Sequence, residues 1–153
     1  GVKEVGWGID GETAQRLHDV GIQFIYVAGA GGTSWSQVEK LRSNDPIKKE
    51  AAEAFVDWGI STVESLVTVK DMVKNVSVFA SGGMKTGVDA AKAIALGADY
   101  VGFARSLLKD ATKSAEAVSQ MMATRELELQ MAMFGLGTAT IAELQQTERI
   151  KLT

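Results

Sequence analysis

The chain has 153 residues, of which 46% are hydrophobic and 23% are charged, as is ordinary for a globular domain with a buried core. A formal net charge of −3 argues against nucleic acid or an anionic membrane as the main partner, and the absence of cysteine excludes disulfides and thiolate metal sites. No stretch approaches the ~20 consecutive apolar residues of a membrane span. No signal peptide opens the chain, so we expect a cytoplasmic protein.

The amino-terminal residues predict a strand followed by a helix. Val2 to Val5 is a short apolar strand that carries Lys3 and ends at Gly6. Lys3 is either a lysine at an exposed sheet edge, with its charge in solvent, or a cation directed into a binding face. Asp10 is expected to cap a helix whose apolar stripe is Ala14, Leu17 and Val20.

The next segment predicts a second strand with a loop of small residues after it. Phe24 to Val27 is the strand, and the loop from Ala28 to Trp35 ends in two hydroxyls and a tryptophan, which suits the edge of a ligand site. Ser36 to Lys49 is polar and contains the only proline, so we expect a long loop there. His18, the only histidine, lies on the flank of its helix and is expected to be a surface residue without a catalytic role.

Helices are expected over most of the remaining chain. They cover Ala51 to Trp58, Thr62 to Val73, a long stretch after the cap Ser114, and Thr140 to Gln146. The long helix has apolar residues at helical spacing, which indicates core packing rather than a promiscuous binding surface. Its predicted inner face consists of Val118, Met121, Met122, Leu129, Ala132 and Met133.

The most informative segment is the strand–loop–helix–strand unit from Val76 to Arg105. Ser77 to Ala80 is a buried parallel strand, and the glycine pair Gly82–Gly83 after it leaves backbone N–H groups accessible to an anion. Thr86 is expected to cap the following helix, which carries Val88, Ala91, Ile94 and Ala95 on one face and stops at Gly97. The chain then re-enters the sheet as Tyr100 to Ala104.

Two further features favour an anion site over a simple tight turn. Lys85 follows the glycine pair within reach of a phosphate, and the next strand ends in small residues before Arg105. In (β/α)8 barrels the loops after the last two strands commonly bind phosphate. The sequence therefore predicts an α/β fold, a (β/α)8 TIM barrel of which this chain covers about the last four βα units.

Four sequence blocks, in one order, carry a resemblance to a known family. They read VKEVGWG, VAGAGGTSW, FASGGMKTG and GADYVGFARSLL, and MAMFGLGTATIAELQQT follows them. This set resembles the carboxyl half of type 2 isopentenyl diphosphate isomerase, and the likeness spans residues 1–153, which would then be half of a single FMN-binding domain. The resemblance implies FMN, Mg²⁺ and NADPH as cofactors and a small-molecule diphosphate as substrate.

The resemblance also implies roles for particular residues. Lys3 would lie beside the flavin ring and Thr33 would contact FMN. The flavin phosphate would be held by Gly83, Met84, Lys85, Ala104 and Arg105. Proton transfer would be carried by the flavin, so this half supplies no catalytic side chain and no metal ligand.

The sequence departs from the family pattern at several positions. Ala28 stands where the family usually has serine and Ala30 where it has arginine. Lys85 keeps the charge of the usual arginine but lacks its bidentate fork, and the paired arginines of the long loop are reduced to Arg42. In this family the contacts to the diphosphate and Mg²⁺, the substrate-side glutamine and the metal-binding glutamate come from the amino-terminal half.

Two alternatives remain beside the isomerase. One is another FMN barrel, such as a 2-hydroxy-acid oxidase or a dihydroorotate-dehydrogenase-like enzyme, although the oxidases need a histidine base that the 28–32 segment lacks. The other is a non-catalytic half barrel. Because four parallel strands leave two open edges, at Val2–Val5 and Tyr100–Ala104, we also expect the chain to be a homo-oligomer.

Overall fold

The computed structural model describes residues 1–150, in which short parallel strands alternate with helices. The strands are β1 (Val2–Lys3), β2 (Phe24–Tyr26), β3 (Ser77–Ala80) and β4 (Tyr100–Val101). The helices are α1 (Gly11–Asp19), α2 (Trp35–Arg42), α3 (Pro46–Glu53), α4 (Thr62–Met72), α5 (Gly87–Ala95), α6 (Arg105–Ala111), α7 (Ala115–Leu136) and α8 (Ile141–Gln145). Within this part of the chain no helix has both the length and the apolar character needed to cross a membrane.

One face of the sheet is covered by helices. The strands pair in parallel in the order β1-β2-β3-β4, with Ile25 opposite both Val2 and Val78. Ile25, Val78 and Ala80 are fully buried, and they form one cluster with Leu66 and Val69 of α4. Consecutive parallel strands joined by helices are the repeating unit of a barrel, and the predicted fold is confirmed: this chain contributes four consecutive βα units.

The opposite face of the sheet carries a row of side chains that crosses all four strands. Lys3 pairs with Tyr26, Tyr26 with Phe79, and Phe79 with Tyr100. The three rings stack, with centroid separations of 4.1 Å and 4.4 Å and an interplanar angle of 16° at each step. Tyr100 remains 54% exposed and Phe24 45% exposed. This face is the one that points into the interior of a closed barrel.

The helix starts predicted from the sequence are confirmed by hydrogen bonds. The Asp10 carboxylate accepts from the Thr13 N–H at 2.6 Å, and the Ser114 hydroxyl accepts from the Ala117 N–H at 3.1 Å. Thr86 forms a complete capping box with Asp89. Each cap satisfies an N–H that has no partner within the first turn of its helix.

The long loop predicted over residues 36–49 is wrong, because α2 and α3 occupy this region as a helical hairpin. Pro46 is the first residue of α3, where its missing N–H costs nothing, and the Asp45 carboxylate accepts from the Ile47 N–H at 2.9 Å. The helix expected over Ala51 to Trp58 instead ends at Glu53. The proline that suggested a loop is a helix start.

Other predicted boundaries and stripes also need correction. β1 ends at Lys3, because the Glu4 carboxylate turns the chain by accepting the N–H groups of residues 6, 7 and 8 at 2.6, 2.5 and 3.1 Å. β4 likewise ends at Val101. Val20, at 78% exposed, follows α1 rather than belonging to its buried stripe, and Val88 of α5 is 45% exposed because that helix buries its alanines and Ile94.

Candidate functional site

A single cleft of about 540 Å³ opens where the strands end, and it contains all seven residues predicted to bind a cofactor. The seven are Lys3, Thr33, Gly83, Met84, Lys85, Ala104 and Arg105. They come from β1, from three loops and from the first residue of α6, and Lys3 and Arg105 are 102 positions apart in the chain. The carboxyl ends of parallel strands meet at one edge of a sheet, which explains why distant segments converge here.

The charge of the cleft is the opposite of the charge of the chain. Its lining includes the cations Lys3, Lys85 and Arg105 and contains no aspartate or glutamate. None of the three cations forms an ion pair with a carboxylate within residues 1–150. A concave site of one charge sign concentrates ligands of the opposite sign, so the cleft favours an anion although the net charge of the chain is −3.

Two glycine-rich loops form the wall of the cleft by packing against each other. Gly83 has a φ of 81°, and a Cβ at this position would lie 2.6 Å from the carbonyl oxygen of Gly31. Gly82 has a φ of 104°, and a Cβ there would overlap the backbone of Gly29. The glycine pair is thus required both by its left-handed backbone and by the neighbouring loop. An approaching anion is not needed to explain it.

The Thr62 hydroxyl fixes the loop that follows β3. Its Oγ1 lies 3.0 Å from the carbonyl oxygen of Ser81 and 2.7 Å from that of Gly82, and the residue is buried. The Gly29 N–H also donates to the Ser81 carbonyl at 3.0 Å. These bonds place the carbonyls of the loop toward the protein, away from the ligand side.

The amino terminus of α5 is occupied by two carboxylates of the protein itself. Asp89 Oδ2 accepts from the N–H groups of Lys85 and Thr86 at 3.0 and 2.9 Å, and Glu128 Oε2 of α7 accepts from the Gly87 N–H at 2.6 Å. Arg125 holds the other oxygen of Glu128 at 2.5 Å. The N–H groups of residues 85–87 are therefore not available to an anion in the cleft.

The donors that remain lie just before this turn and in the neighbouring loop. Within residues 1–150, the backbone N–H groups of Gly83, Met84, Ala104 and Arg105 donate to no acceptor. The Ser81 Oγ is buried at the cleft wall and also lacks a partner in that part of the chain. Buried polar groups are nearly always hydrogen-bonded in native proteins, so the Ser81 Oγ calls for a partner, and together with the four free N–H groups it matches a ligand rich in oxygen acceptors.

The two carboxylates at α5 are held in their charged forms. Burial by itself raises the pKa of Asp89, but hydrogen bonds from the Lys85 and Thr86 backbone and from the Thr86 hydroxyl outweigh it and bring the pKa below its ordinary 3.8. The hydrogen bond from Gly87, aided by Arg125, lowers the pKa of Glu128. Both groups favour the charged form because N–H donors stabilise a carboxylate.

The structure decides between the two interpretations of Lys3. Its side chain belongs to the inward row of the sheet and lines the cleft, where Nζ donates to the Glu4 carbonyl at 2.8 Å. Lys3 is thus a cation at the mouth of the cleft. His18, by contrast, is half-buried beside the Ile22 carbonyl and is absent from the lining.

Other residues of the cleft are only weakly indicated by the sequence. Trp35 lines it together with Thr33, as the loop composition suggested, whereas Ser34 and Ala30 line a neighbouring cavity of about 340 Å³. Ala28 lines the cleft in a left-handed conformation with φ 36°. Tyr26 and Ser106 also reach it, and no local pattern marks either position. Within residues 1–150 no group of three histidine, aspartate or glutamate side chains could hold a metal ion.

These features define a barrel segment with a cationic cleft at the carboxyl ends of its strands. A family model for FMN-dependent dehydrogenases matches residues 2–151, and the chain belongs to that family. Curated relatives make the comparison more specific. The chain is 60% identical over 152 residues to an isopentenyl-diphosphate delta-isomerase of Oceanobacillus iheyensis and 47% identical over 152 residues to one of Stutzerimonas stutzeri.

The comparisons also show how much of a relative this chain represents. Each match covers 99% of the chain but only 44% of the relative, so the chain spans less than half the length of these proteins. Among solved structures, a lactate oxidase of Pediococcus acidilactici superposes with a TM-score of 0.72 at 27% identity, over 95% of this chain and 36% of that protein. The fold is therefore that of the carboxyl part of a flavin barrel.

The residues of the cleft fit the chemistry of FMN. Its phosphate needs several N–H donors and cations, which residues 83–85 and 104–105 provide. Its ribityl chain carries hydroxyls that can accept from the unpartnered Ser81 Oγ. The volume of about 540 Å³ lies within the range of roughly 300–1,000 Å³ that is usual for small-molecule sites.

The carboxylates at α5 predict a loss of stability in acid. A carboxyl whose pKa is lowered by folding contributes stability above its unfolded pKa and loses it as the pH falls through the lowered value. Asp89→Asn should therefore be less stable than the wild type in urea at neutral pH, and the gap should close as the pH falls below 3.8. Asp71→Asn is the matched control, because Asp71 is exposed. A gap that stays constant down to acid pH would contradict this role of Asp89.

Proposed function

We propose that this chain is the carboxyl half of an FMN-dependent type 2 isopentenyl diphosphate isomerase, an enzyme of isoprenoid biosynthesis. The observation that carries the proposal is the convergence of all seven family-matched residues in one cationic cleft without a carboxylate. The 60% identity to an isopentenyl-diphosphate delta-isomerase over nearly the whole chain supports the particular reaction. Interconversion of isopentenyl and dimethylallyl diphosphate is the activity proposed for the full-length protein.

In this proposal the residues of this half bind and orient the cofactor. Lys85 and Arg105, with the N–H groups of Gly83, Met84 and Ala104, hold the FMN phosphate. Thr33 and the Ser81 hydroxyl contact the ribityl side, and Lys3 lies beside the ring, where a cation stabilises negative charge on the reduced form. When bound, reduced FMN would supply the proton transfer at its N5, so the protein contributes orientation and electrostatics.

The remaining components of the reaction are assigned to the part of the relatives that this chain does not span. No cluster of three or more histidine, aspartate or glutamate side chains that could hold a metal is found within residues 1–150. In this proposal Mg²⁺ and the diphosphate are held by the amino-terminal half. NADPH would reduce the flavin. We expect the cytoplasm as the location.

A second candidate is a flavin oxidase that acts on a 2-hydroxy acid. The superposition on a lactate oxidase favours it as a fold relative. The segment 28–32 holds no histidine to act as a base, and the higher identity is to the isomerases. Turnover distinguishes the two, because only an oxidase consumes a hydroxy acid and oxygen.

The full-length protein should be yellow when purified and should isomerise isopentenyl diphosphate when FMN, NADPH and Mg²⁺ are present. Product formation can be followed by conversion of labelled substrate to the acid-labile dimethylallyl form. The 153-residue chain alone should show no turnover, because it lacks the substrate side. Hydroxy-acid oxidation without isomerisation would replace this proposal with the second candidate.

The two lysines of the cleft should differ in their effect on FMN binding. Lys85→Ala should weaken FMN binding roughly tenfold, since it removes a charge-assisted contact to a phosphate dianion. Lys3→Ala should weaken it less, because the oxidised ring that Lys3 faces is neutral. Flavin fluorescence titration measures both, and Lys92→Ala on α5, outside the cleft, is the control. Equal losses at Lys85 and Lys3 would argue against the assignment of the phosphate.

We also propose that the 153-residue chain associates with itself when it is alone. β1 and β4 are the edges of the sheet, and its aromatic face is half exposed; such edges and faces pair readily with another chain. Two copies could close eight parallel strands around a two-fold axis. Light scattering should give a mass above the 16.3 kDa of one chain, whereas a stable monomer that binds no hydrophobic dye would rule this out.

A further inference from the structure

The peptide unit between Met84 and Lys85 is held at both of its polar ends. Its carbonyl oxygen, on Met84, accepts a hydrogen bond of 3.1 Å from the Ser106 hydroxyl. Its N–H, on Lys85, donates to Asp89 Oδ2 at 3.0 Å. A peptide plane fixed at both ends cannot rotate without losing one of these bonds. This unit directly follows the unpartnered N–H groups of Gly83 and Met84.

The bond from Ser106 joins the two halves of the anion site. Met84 lies in the loop after β3, and Ser106 is the second residue of α6, directly after Ala104 and Arg105. Within residues 1–150 it is the only hydrogen bond between segment 81–86 and segment 103–111. Beyond the β3–β4 pairing, which ends with the Gly102 N–H donating to the Ala80 carbonyl at 2.8 Å, the two sets of phosphate donors are thus bonded to each other through one hydroxyl.

We propose that Ser106 is a positioning residue for the flavin phosphate: its hydroxyl fixes the loop after β3 against the start of α6, so that both sets of N–H donors converge before the ligand arrives. This inference rests on the proposed function, because it assumes that the cleft binds FMN. Ser106 acts through Met84. Ordering two independent loops at the moment of binding would reduce affinity, and a bond formed beforehand avoids that loss.

The alternative explanation is that Ser106 only stabilises helix α6 and has no role in positioning the loop after β3. Alanine is a better helix former than serine, so Ser106→Ala should preserve the helix while it removes the hydroxyl. A purely structural role would then affect every ligand of the cleft equally or none of them. A positioning role affects only ligands that carry the phosphate.

The test compares FMN with riboflavin, which has the same ring and ribityl chain but no phosphate. Both should be titrated by fluorescence into the full-length protein and into three variants: Ser106→Ala, Ser106→Thr and Ser119→Ala. Threonine keeps the hydroxyl, and Ser119 is an exposed serine on α7 outside the cleft. Loss of one neutral hydrogen bond predicts a roughly three- to tenfold fall in FMN affinity for Ser106→Ala.

The expected result is that Ser106→Ala lowers the ratio of FMN to riboflavin affinity by that factor while riboflavin affinity is unchanged. Ser106→Thr should restore the ratio, and Ser119→Ala should match the wild type. An unchanged ratio in Ser106→Ala, or an equal loss for both ligands, overturns the positioning role while the FMN assignment stands. A wild type that binds riboflavin as tightly as FMN overturns the proposed phosphate site itself.

Discussion

The close contact between two glycine loops is the constraint on which the site depends. Gly82 and Gly83 lie against Gly29 and Gly31 so tightly that a Cβ on either member of the first pair would meet backbone of the second. The buried Thr62 hydroxyl binds the carbonyls of Ser81 and Gly82 from the protein side. Because these two carbonyls are bonded on the protein side, the N–H groups of Gly83 and Met84 remain as donors on the cleft side and give the loop a donor polarity there. A single larger side chain would separate the loops and remove that polarity.

Negative and positive side chains occupy different places around the loop that follows β3. Asp89 and Glu128 occupy the N–H groups of residues 85–87, and the donors that stay available belong to residues 83–84 and 104–105. The protein thus uses its own carboxylates to fill the most obvious anion position, the start of α5, and to fix the loop before it. Lys85, Arg105 and Lys3 then give the adjoining cleft its positive charge. A chain of net charge −3 can in this way hold an anion at one point of its surface.

A feature of the structure can be predicted from the sequence when the residues that form it are close together in the chain. Caps such as Asp10, Thr86 and Ser114 depend on bonds within three residues, so their positions are visible in the sequence. The sequence-based prediction fails at Pro46 because a proline can either interrupt a helix or begin one. The Asp45 cap shows that Pro46 begins α3. The bonds of Glu128 and Ser106 join residues 41 and 22 positions apart, and no spacing rule predicts them. The cleft can be predicted from the sequence because the carboxyl ends of parallel strands meet at one edge of the sheet.

The two ends of a bound flavin would depend on the chain to different degrees. The phosphate end would rest on several contacts among residues that lie between positions 29 and 128 of the chain, all of them within these four βα units. The ring end would be bordered by Lys3 and Tyr26, which line the cleft. Tyr26 continues into the stack of Phe79 and Tyr100, of which Tyr100 is 54% exposed. Stacked aromatic rings gain most of their stabilisation when both faces are removed from water. Since this sheet supplies one wall only, exclusion of water from a bound ring requires a second wall against the open face.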